Sequence, residues 1–299
     1  MLTRYSDMIH RLCRCEHNRL SVAVAHDRGL VQSIAEAHRI AGIESILYGR
    51  ASEIERLLDE TGYDGPRRVV DEPDEGLAAR AAVRAVRDGE AQVLMKGLVN
   101  TSDFLRAVLD REVGLRTERL LSHLAAFEVP GFRRFLFVTD GGINIAPDLE
   151  EKKGILANAL EALVAMGYDC PKVAVLAANE RVSPKAPATV DAAEIAEAWR
   201  AGHFRVNCLV EGPMALDVAL FREAAEHKRI ESRIAGEVDL FLVSGIEVGN
   251  VLGKSMAHIA GAQMSGVVLG ARAPIVLTSR AESAKSKLNS ILLALGCSS

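Results

Sequence analysis

The sequence predicts an α/β protein with mostly parallel sheets flanked by helices, and three observations support this fold class. Short apolar runs alternate with helical stretches of roughly ten to fifteen residues, which is the pattern of βαβ units. Hydrophobic residues make up 49% of the chain but aromatic residues only 4%, which indicates a core of aliphatic side chains. The 299 residues suffice for one large unit or for two domains.

The elements follow from the periodicity of the apolar residues, taken in chain order. Strands are predicted at residues 20–26, 45–48, 68–70, 91–95, 120–127, 134–139, 172–176, 205–210 and 238–243, and in the run 273–280. Helices are predicted at residues 27–41, 52–60, 76–88, 101–110, 149–166 and 281–295. Asp148 is expected to cap the helix at 149, and Thr101 or Ser102 the helix at 101. Polar loops at 140–148, 183–191 and 211–217 follow strands.

Composition and charge limit the kinds of molecule that the protein is expected to bind and its expected location. The formal charge of −4 gives no reason to expect a nucleic acid or an anionic membrane as partner. No segment approaches the roughly 20 apolar residues of a membrane span, and the first residues lack the apolar core of a secretory signal. We therefore expect a cytoplasmic protein without disulfides. The cluster His10, Cys13, Cys15 and His17 is spaced too tightly for a typical metal site, so no metal is expected.

The run 273–280 brings Ser279 and Arg280 to a strand end just before a predicted helix. Ligands of open parallel sheets bind outside the carboxyl ends of the strands, and a helix N-terminus attracts anions. The run therefore indicates a phosphate or acyl-phosphate site, although a plain polar turn between core elements would leave the same pattern. Lys96 and Arg106 flank another helix start, where Thr101 lies, and would also suit a phosphate. Asp140 ends a strand, and Asn144 follows in its loop.

Residues 238–255 place a strand before glycines and Gly253-Lys254-Ser255, as a P-loop would. A P-loop needs four residues between its glycines, whereas Gly249 and Gly253 enclose only three. The spacing therefore excludes a P-loop NTPase. Glu247, Asn250 and Lys254 remain as candidate ligand-binding residues, and Asn250 and Lys254 share a helix face. A solvated helix face would have the same composition.

Several segments together resemble the phosphate acetyl/butyryltransferase family, and most closely its phosphate butyryltransferase branch. They run through most of the chain in the family's order: LMKGLVNTSDFLRAVL (94–109), LSHLAAFEVPG (121–131), FVTDGGINIAPDL (137–149), PKVAVLAA (171–178), PATVDAAE (187–194), EGPMALDVAL (211–220), AAEHKRIESRIAGEVD (224–239), IEVGNVLGKS (246–255) and VVLGARAPIVLTSR (267–280).

The resemblance implies a two-domain fold like that of the isocitrate and isopropylmalate dehydrogenases, with the active site in the cleft between the domains. We expect residues 1–141 with 268–299 to form the first domain and 142–267 the second. The implied reaction is acyl-CoA + phosphate ⇌ acyl phosphate + CoA, with CoA as a substrate, no cofactor and no metal. Homodimers or larger assemblies are expected.

The resemblance also implies roles for individual residues. Ser279 and Arg280 match a Ser-Arg pair that holds the acyl carbonyl and the phosphoryl group, and Arg106 matches an arginine that binds an anion or CoA. Catalytic roles are therefore expected for Ser279 and Arg280, and also for Glu282 as the nearest carboxylate on the helix that follows. Substrate-binding roles are expected for Lys96, Thr101, Arg106, Asp140, Asn144, Glu247, Asn250 and Lys254.

One departure from the family pattern bears on the chemistry. Family members carry a carboxylate seven positions after the serine, proposed to deprotonate the thiol, and here Ser286 takes that position. Either Glu282 substitutes, or Lys285 lowers the pKa of the thiol, or catalysis is impaired. Smaller departures from the family pattern lie at Gly245, Val248 and Gly253. Gly141-Gly142 replaces a common Ala-Ala pair, which could enlarge the acyl pocket.

The leading hypothesis is a phosphotransacylase of the butyryl type that accepts a short or branched acyl chain. The competing hypothesis is a protein of the same fold that binds CoA or acyl phosphate without turnover, because the expected carboxylate is missing. A dehydrogenase of this fold is a third hypothesis, against which the absence of a G-x-G-x-x-G fingerprint argues weakly.

Overall fold

The structure is a computed structural model that describes residues 2–14, 18–279 and 282–298. The helices are α1 (Tyr5–Leu12), α2 (Arg28–Ala41), α3 (Ala51–Thr61), α4 (Glu75–Arg87), α5 (Thr101–Val108), α6 (Leu149–Ala165), α7 (Pro187–Arg200), α8 (Leu216–Leu220), α9 (Arg222–Lys228), α10 (Ile246–His258) and α11 (Ala284–Cys297). The strands are β1 (Arg19–Ala23), β2 (Glu44–Gly49), β3 (Arg67–Asp71), β4 (Val93–Lys96), β5 (Ser122–Glu128), β6 (Leu136–Thr139), β7 (Lys172–Leu176), β8 (Leu209–Met214), β9 (Leu240–Leu242), β10 (Gln263–Leu269) and β11 (Ile275–Val276).

The chain divides into two compact units. The terminal unit comprises the described residues of Arg4–Arg119 and Met264–Ser299, and the central unit those of Met1–Thr3 and Leu120–Gln263. The predicted domain boundaries, after residues 141 and 267, stay a prediction. Among the described residues, no helix combines the length and the apolar character needed to cross a membrane.

In the terminal unit the strand order is β3-β2-β1-β4-β11-β10. β1 pairs in parallel with β2 and β4, and β11 pairs in parallel with β4 through the register Val276↔Met95. β10 and β11 are antiparallel. The apolar faces of α2, α4 and α11 are buried, which gives this unit its aliphatic core. The parallel pairing places the carboxyl ends of β1, β4 and β11 at one edge of the sheet.

In the central unit the strand order is β5-β6-β9-β7-β8. β6, β9, β7 and β8 are parallel, and β5 pairs antiparallel with β6. Helix α10 packs against β5 and β6, and α7 packs against β7 and β8. The predicted α/β class with mostly parallel sheets is confirmed in both units.

Some predicted elements are wrong in extent. The strand predicted at 205–210 is observed at Leu209–Met214, so it extends into the loop predicted at 211–217. Pro213 is accommodated there because β8 is the last strand in the sheet order. The strand predicted at 20–26 ends at Ala23, since Val24 has a left-handed φ of 57°. Among the described residues of that run, 273–279, only Ile275–Val276 are strand, and β10 was not predicted.

The capping predictions had mixed outcomes. Asp148 caps α6 as predicted: its Oδ1 accepts the Glu151 N–H at 2.9 Å, and Glu151 returns a hydrogen bond in a capping box. The prediction for α5 was wrong, because the N-cap residue is Asn100 and its side chain makes no capping hydrogen bond.

Candidate functional site

In the terminal unit, the carboxyl ends of β4 and β11 are neighbours. Lys96 is the last residue of β4, and Val276 of β11 pairs with the residue before it. The chain leaves β11 through Thr278, which is buried, and Ser279, which is exposed. Lys96 is buried as well, and its Nζ donates to the Gly97 carbonyl at 3.1 Å. Lys96 and Ser279 thus lie where open parallel sheets bind ligands.

Two reciprocal hydrogen bonds join Ser279 to Glu282, and we name this bonded pair the Ser279–Glu282 turn. The Ser279 N–H donates to Glu282 Oε1 at 2.7 Å, and the Glu282 N–H donates to the Ser279 carbonyl at 3.1 Å. These reciprocal bonds hold a hydroxyl-bearing residue and a carboxylate at one position in front of α11. Arg280, predicted to be catalytic, lies outside the described residues.

Glu282 has the properties of a proton acceptor. Burial raises the pKa of its carboxyl, while the Ser279 N–H and the charge of Lys287 oppose that shift. A carboxylate with a raised pKa is a stronger base than an exposed glutamate, and catalytic bases work best with a pKa near the working pH. The residue nominated in place of the missing carboxylate therefore occupies a suitable environment.

Lys287 is a cation that the sequence analysis missed. It is buried, its Nζ donates to the Glu282 carbonyl at 2.7 Å, and it lies 3.9 Å from Asp27 Oδ1. Asp27 caps α2 by accepting the Leu30 N–H. Lys287 thus links the Ser279–Glu282 turn to the N-terminus of α2. A signal was present in the sequence, because Lys287 lies one helical turn before the apolar run that begins at Ile291 and shares a helix face with that residue.

Ser286 and Lys285, on the same helix, have other surroundings. The Ser286 N–H donates to Ser283 Oγ, which caps α11, and the two hydroxyls lie 3.1 Å apart. Ser286 therefore belongs to the cap of the helix. Lys285 is exposed and lines a groove of about 450 Å³ with Glu36 and Arg39 of α2. Of the two lysines, Lys287 is the one that contacts the turn.

Thr101 and Arg106 both lie on α5 and are exposed. Arg106 Nη1 is 2.9 Å from Asp103 Oδ1, and 78% of the arginine side chain is accessible. An exposed pair of this kind contributes only about 0–1 kcal/mol, so an anionic ligand could displace Asp103. The roles predicted for Thr101, Arg106 and Lys96 stay predictions.

In the central unit, Asp140 follows β6 and is buried. Its Oδ1 accepts the N–H groups of Gly142 and Ile143 at 2.8 and 2.9 Å. Its Oδ2 accepts the His123 N–H at 2.9 Å and Asn144 Nδ2 at 2.7 Å. Four donors fill the acceptor sites of a carboxylate. Asp140 therefore organises the loop after β6, and Asn144 extends that network to the Leu121 carbonyl at 2.9 Å.

We expect Asp140→Asn to destabilise the protein by about 2–4 kcal/mol, because the new amide would face two donors and leave them unpaired. Asp148→Asn, in the same loop, is the matched control and should change stability by only a few tenths of a kcal/mol, since asparagine caps helices as well as aspartate. Urea denaturation of both variants measures the difference. Equal losses would contradict the role assigned to Asp140.

The glycines of α10 allow it to pack closely on this loop. A Cβ at Gly249 would lie 2.6 Å from Gly141 Cα, and one at Gly141 would lie 2.8 Å from the Gly249 carbonyl carbon. A Cβ at Gly253 would approach the Phe127 ring to 3.0 Å. The space beside Gly141 and Gly253 is thus already filled. The larger acyl pocket expected from the Gly141-Gly142 pair gains no support at Gly141.

Glu247, Asn250 and Lys254 are exposed on α10. None of their side chains makes a hydrogen bond or ion pair within residues 2–14, 18–279 and 282–298, and the structure does not test their predicted roles. In the same part of the chain, no group of three or more His, Cys, Asp and Glu residues could hold a metal ion. The cluster at His10 lies partly outside the described residues, as Cys15 and His17 do.

Comparison with known proteins identifies the family. A family profile described as "Phosphate acetyl/butaryl transferase" matches residues 18–295. The phosphate butyryltransferase of Clostridium acetobutylicum is 41% identical over 295 residues, which cover 98% of each chain. The phosphate acetyltransferase of Thermotoga maritima is 36% identical over 291 residues, covering 97% of this chain and 98% of that protein.

A solved structure of a phosphotransacylase is also similar to this chain. The branched-chain phosphotransacylase from Enterococcus faecalis V583 superposes with a TM-score of 0.84 at 32% identity, covering 94% of this chain and 99% of that one. The resemblance drawn from the sequence segments is thereby confirmed. The chain belongs to the phosphate acetyl/butyryl transferase family.

Proposed function

We propose that this protein is a phosphotransacylase that transfers a short or branched acyl group between CoA and phosphate. Family membership supports the reaction class, and the butyryl-, acetyl- and branched-chain enzymes among its relatives support a small acyl group. The observation that carries the proposal is the pair of reciprocal hydrogen bonds between Ser279 and Glu282, which lie beyond the carboxyl ends of β4 and β11.

In the direction of CoA acylation, the CoA thiol gives its proton to Glu282, whose raised pKa suits it to accept one. The sulfur then bonds to the carbonyl carbon of the acyl phosphate, and negative charge develops on the carbonyl oxygen. Ser279 donates a hydrogen bond to that oxygen and lowers the barrier. The adduct breaks its bond to the phosphate oxygen, and phosphate leaves with the bonding electrons.

The remaining roles follow from the resemblance and are part of the proposal. Arg280, outside the described residues, holds the phosphoryl group through paired N–H donors. Lys96, Thr101, Arg106, Asn144, Glu247, Asn250 and Lys254 bind CoA or phosphate, and Asp140 supports binding by shaping its loop. We further propose a cytoplasmic location and a homodimer or larger homo-oligomer, whose mass light scattering would measure.

The test is phosphate-dependent release of CoA thiol from a series of acyl-CoA substrates. Purified protein should release thiol from butyryl-CoA or a branched acyl-CoA faster than from longer chains, and only when phosphate is present. Absence of release from butyryl-, acetyl- and branched acyl-CoA alike would overturn the proposal.

A second candidate function is binding of CoA or acyl phosphate without turnover. It is favoured by Ser286, which occupies the position of the expected carboxylate and is engaged in the α11 cap. Calorimetry that detects CoA binding, together with an absence of turnover that Ser286→Asp does not restore, would support this function. Turnover by the unmodified protein would exclude it.

A further inference from the structure

His123 of β5, in the central unit, has an unpartnered ring nitrogen. Its Nδ1 is buried and makes no hydrogen bond to any residue in the described part of the chain. The residue as a whole is only half-buried, and no hydrogen bond from residues 2–14, 18–279 or 282–298 reaches its Nε2 either. Buried polar atoms in proteins nearly always have a partner, and Nδ1 is an exception. Nε2 is the ring nitrogen that remains available to a ligand.

The backbone of His123 is fixed on both sides. The His123 N–H donates to Asp140 Oδ2, and the His123 carbonyl accepts the Thr139 hydroxyl at 2.9 Å. Gly142 lies against the ring, because a Cβ at that glycine would lie 3.0 Å from the ring Cγ and 3.1 Å from Nδ1. The ring therefore packs against the loop that Asp140 organises.

The surroundings also select a protonation state. Burial lowers the pKa of His123, although the charge of Asp140 opposes that shift, so the ring is neutral at neutral pH. A neutral imidazole carries one N–H. An unpaired buried N–H is rarer than an unpaired acceptor, so the proton is better placed on Nε2, and Nδ1 remains as the unpaired acceptor. The result is a neutral N–H donor at Nε2.

We propose that His123 contacts the substrate and that its Nε2–H donates a hydrogen bond to an acceptor oxygen of the acyl phosphate. This inference rests on the proposed phosphotransacylase function. His123 lies at the end of β5 that pairs with the carboxyl end of β6, through the register Leu124↔Thr139. Ligands of parallel sheets bind at this edge. The acceptor is either a phosphoryl oxygen or the carbonyl oxygen that gains charge during the reaction.

Two substitutions separate this role from a structural one. The amide nitrogen of glutamine reaches about as far as Nε2 of histidine, whereas that of asparagine reaches only as far as Nδ1. We expect His123→Asn to lower kcat/KM about 10- to 100-fold, the range for a hydrogen bond to a charged group, and His123→Gln to recover most of that loss. His227→Gln, at an exposed histidine of the same unit, is the matched control and should retain wild-type rates.

The kinetic constants identify the acceptor. A rise in KM for phosphate at constant kcat assigns the bond to a phosphoryl oxygen, and a fall in kcat assigns it to the carbonyl oxygen. Wild-type rates in His123→Asn overturn the inference. So does a His123→Gln variant that is folded yet as impaired as folded His123→Asn.

A measurement on the unmodified protein covers the cases in which the variants do not fold or the protein proves inactive. Nitrogen NMR of the histidine rings should find the His123 proton on Nε2 at neutral pH. That resonance should shift when inorganic phosphate or butyryl-CoA is added. A proton on Nδ1, or no shift with either substrate, overturns the inference. Absence of thiol release by the wild type overturns the proposed function alone, and the spectra then decide the role of His123.

Discussion

Glu282→Gln is expected to lower the rate of CoA acylation by butyryl phosphate about 10²- to 10⁴-fold, the usual contribution of a general base. Glutamine has the shape of glutamate and keeps the oxygen that accepts the Ser279 N–H, so the Ser279–Glu282 turn remains closed. The variant loses only the capacity to take the thiol proton. Steady-state rates with saturating CoA measure the effect, and Glu118→Gln, at an exposed glutamate of the terminal unit, is the control.

The pH dependence adds an independent test. Because burial raises the pKa of Glu282, activity in the direction of CoA acylation should fall with decreasing pH, starting above the range of an ordinary glutamate. In the reverse direction the protonated form donates to the departing thiolate, so activity should fall as pH rises through the same pKa. Both limbs should be absent from Glu282→Gln. A variant that keeps the acid limb would assign it to another group.

A stability measurement distinguishes loss of the catalytic base Glu282 from unfolding of the protein. The folded protein binds the Glu282 proton more tightly than the unfolded chain does. The contribution of Glu282 to the stability of the protein is therefore greatest below its pKa in the unfolded chain. This contribution decreases as pH rises through its pKa in the folded protein. At neutral pH the partly buried carboxylate opposes folding, and the uncharged glutamine does not. Glu282→Gln should thus be at least as stable as the wild type in urea denaturation at neutral pH, so that its inactivity cannot be attributed to unfolding.

The sequence predicted the architecture well where local signals agreed with each other. Asp148 is a capping residue with a glutamate three positions later, and α6 begins there. The strand at Lys172–Leu176 contains a continuous apolar run after its first residue, and it was placed correctly. Prediction failed where contacts between segments that are distant in sequence determine the backbone conformation. Pro213 is tolerated only because of the place of β8 in the sheet order, and β11 exists because β4 and β10 pair with it.

The candidate site was predicted in part, and for a comparable reason. Ser279 and Glu282 are close in sequence, so the residues of one turn could be nominated together. Lys287 and His123 depend on distant partners, Asp27 and the loop of Gly142, which no local pattern reveals. The accessible charges of Arg106 and Lys285 were more conspicuous in the sequence than the buried lysine. Burial, which determines whether a charge can act strongly, depends on the complete fold.

Lys287→Met is expected to lower kcat about 10- to 100-fold and to destabilise the protein by about 1.5–3 kcal/mol, the range for a hydrogen bond to a charged group. Methionine fills a similar volume but leaves the Glu282 carbonyl without its donor and Asp27 without the nearby cation. The Ser279–Glu282 turn then loses its link to α2. Lys287 acts through Glu282, as a positioning residue, and steady-state kinetics with urea denaturation measure the two losses.

The matched control is Lys285→Met, which removes an exposed lysine from the same helix turn and should change kcat less than about 2-fold, as surface substitutions usually do. A merely structural role for Lys287 would leave the pH profile of the remaining activity unchanged. Because the charge of Lys287 holds the pKa of Glu282 down, its removal should instead move the acid limb to higher pH. If Lys285→Met lost activity while Lys287→Met kept it, the exposed lysine would be the one that assists the thiol. An unchanged acid limb in Lys287→Met would mean that the buried cation does not act on Glu282.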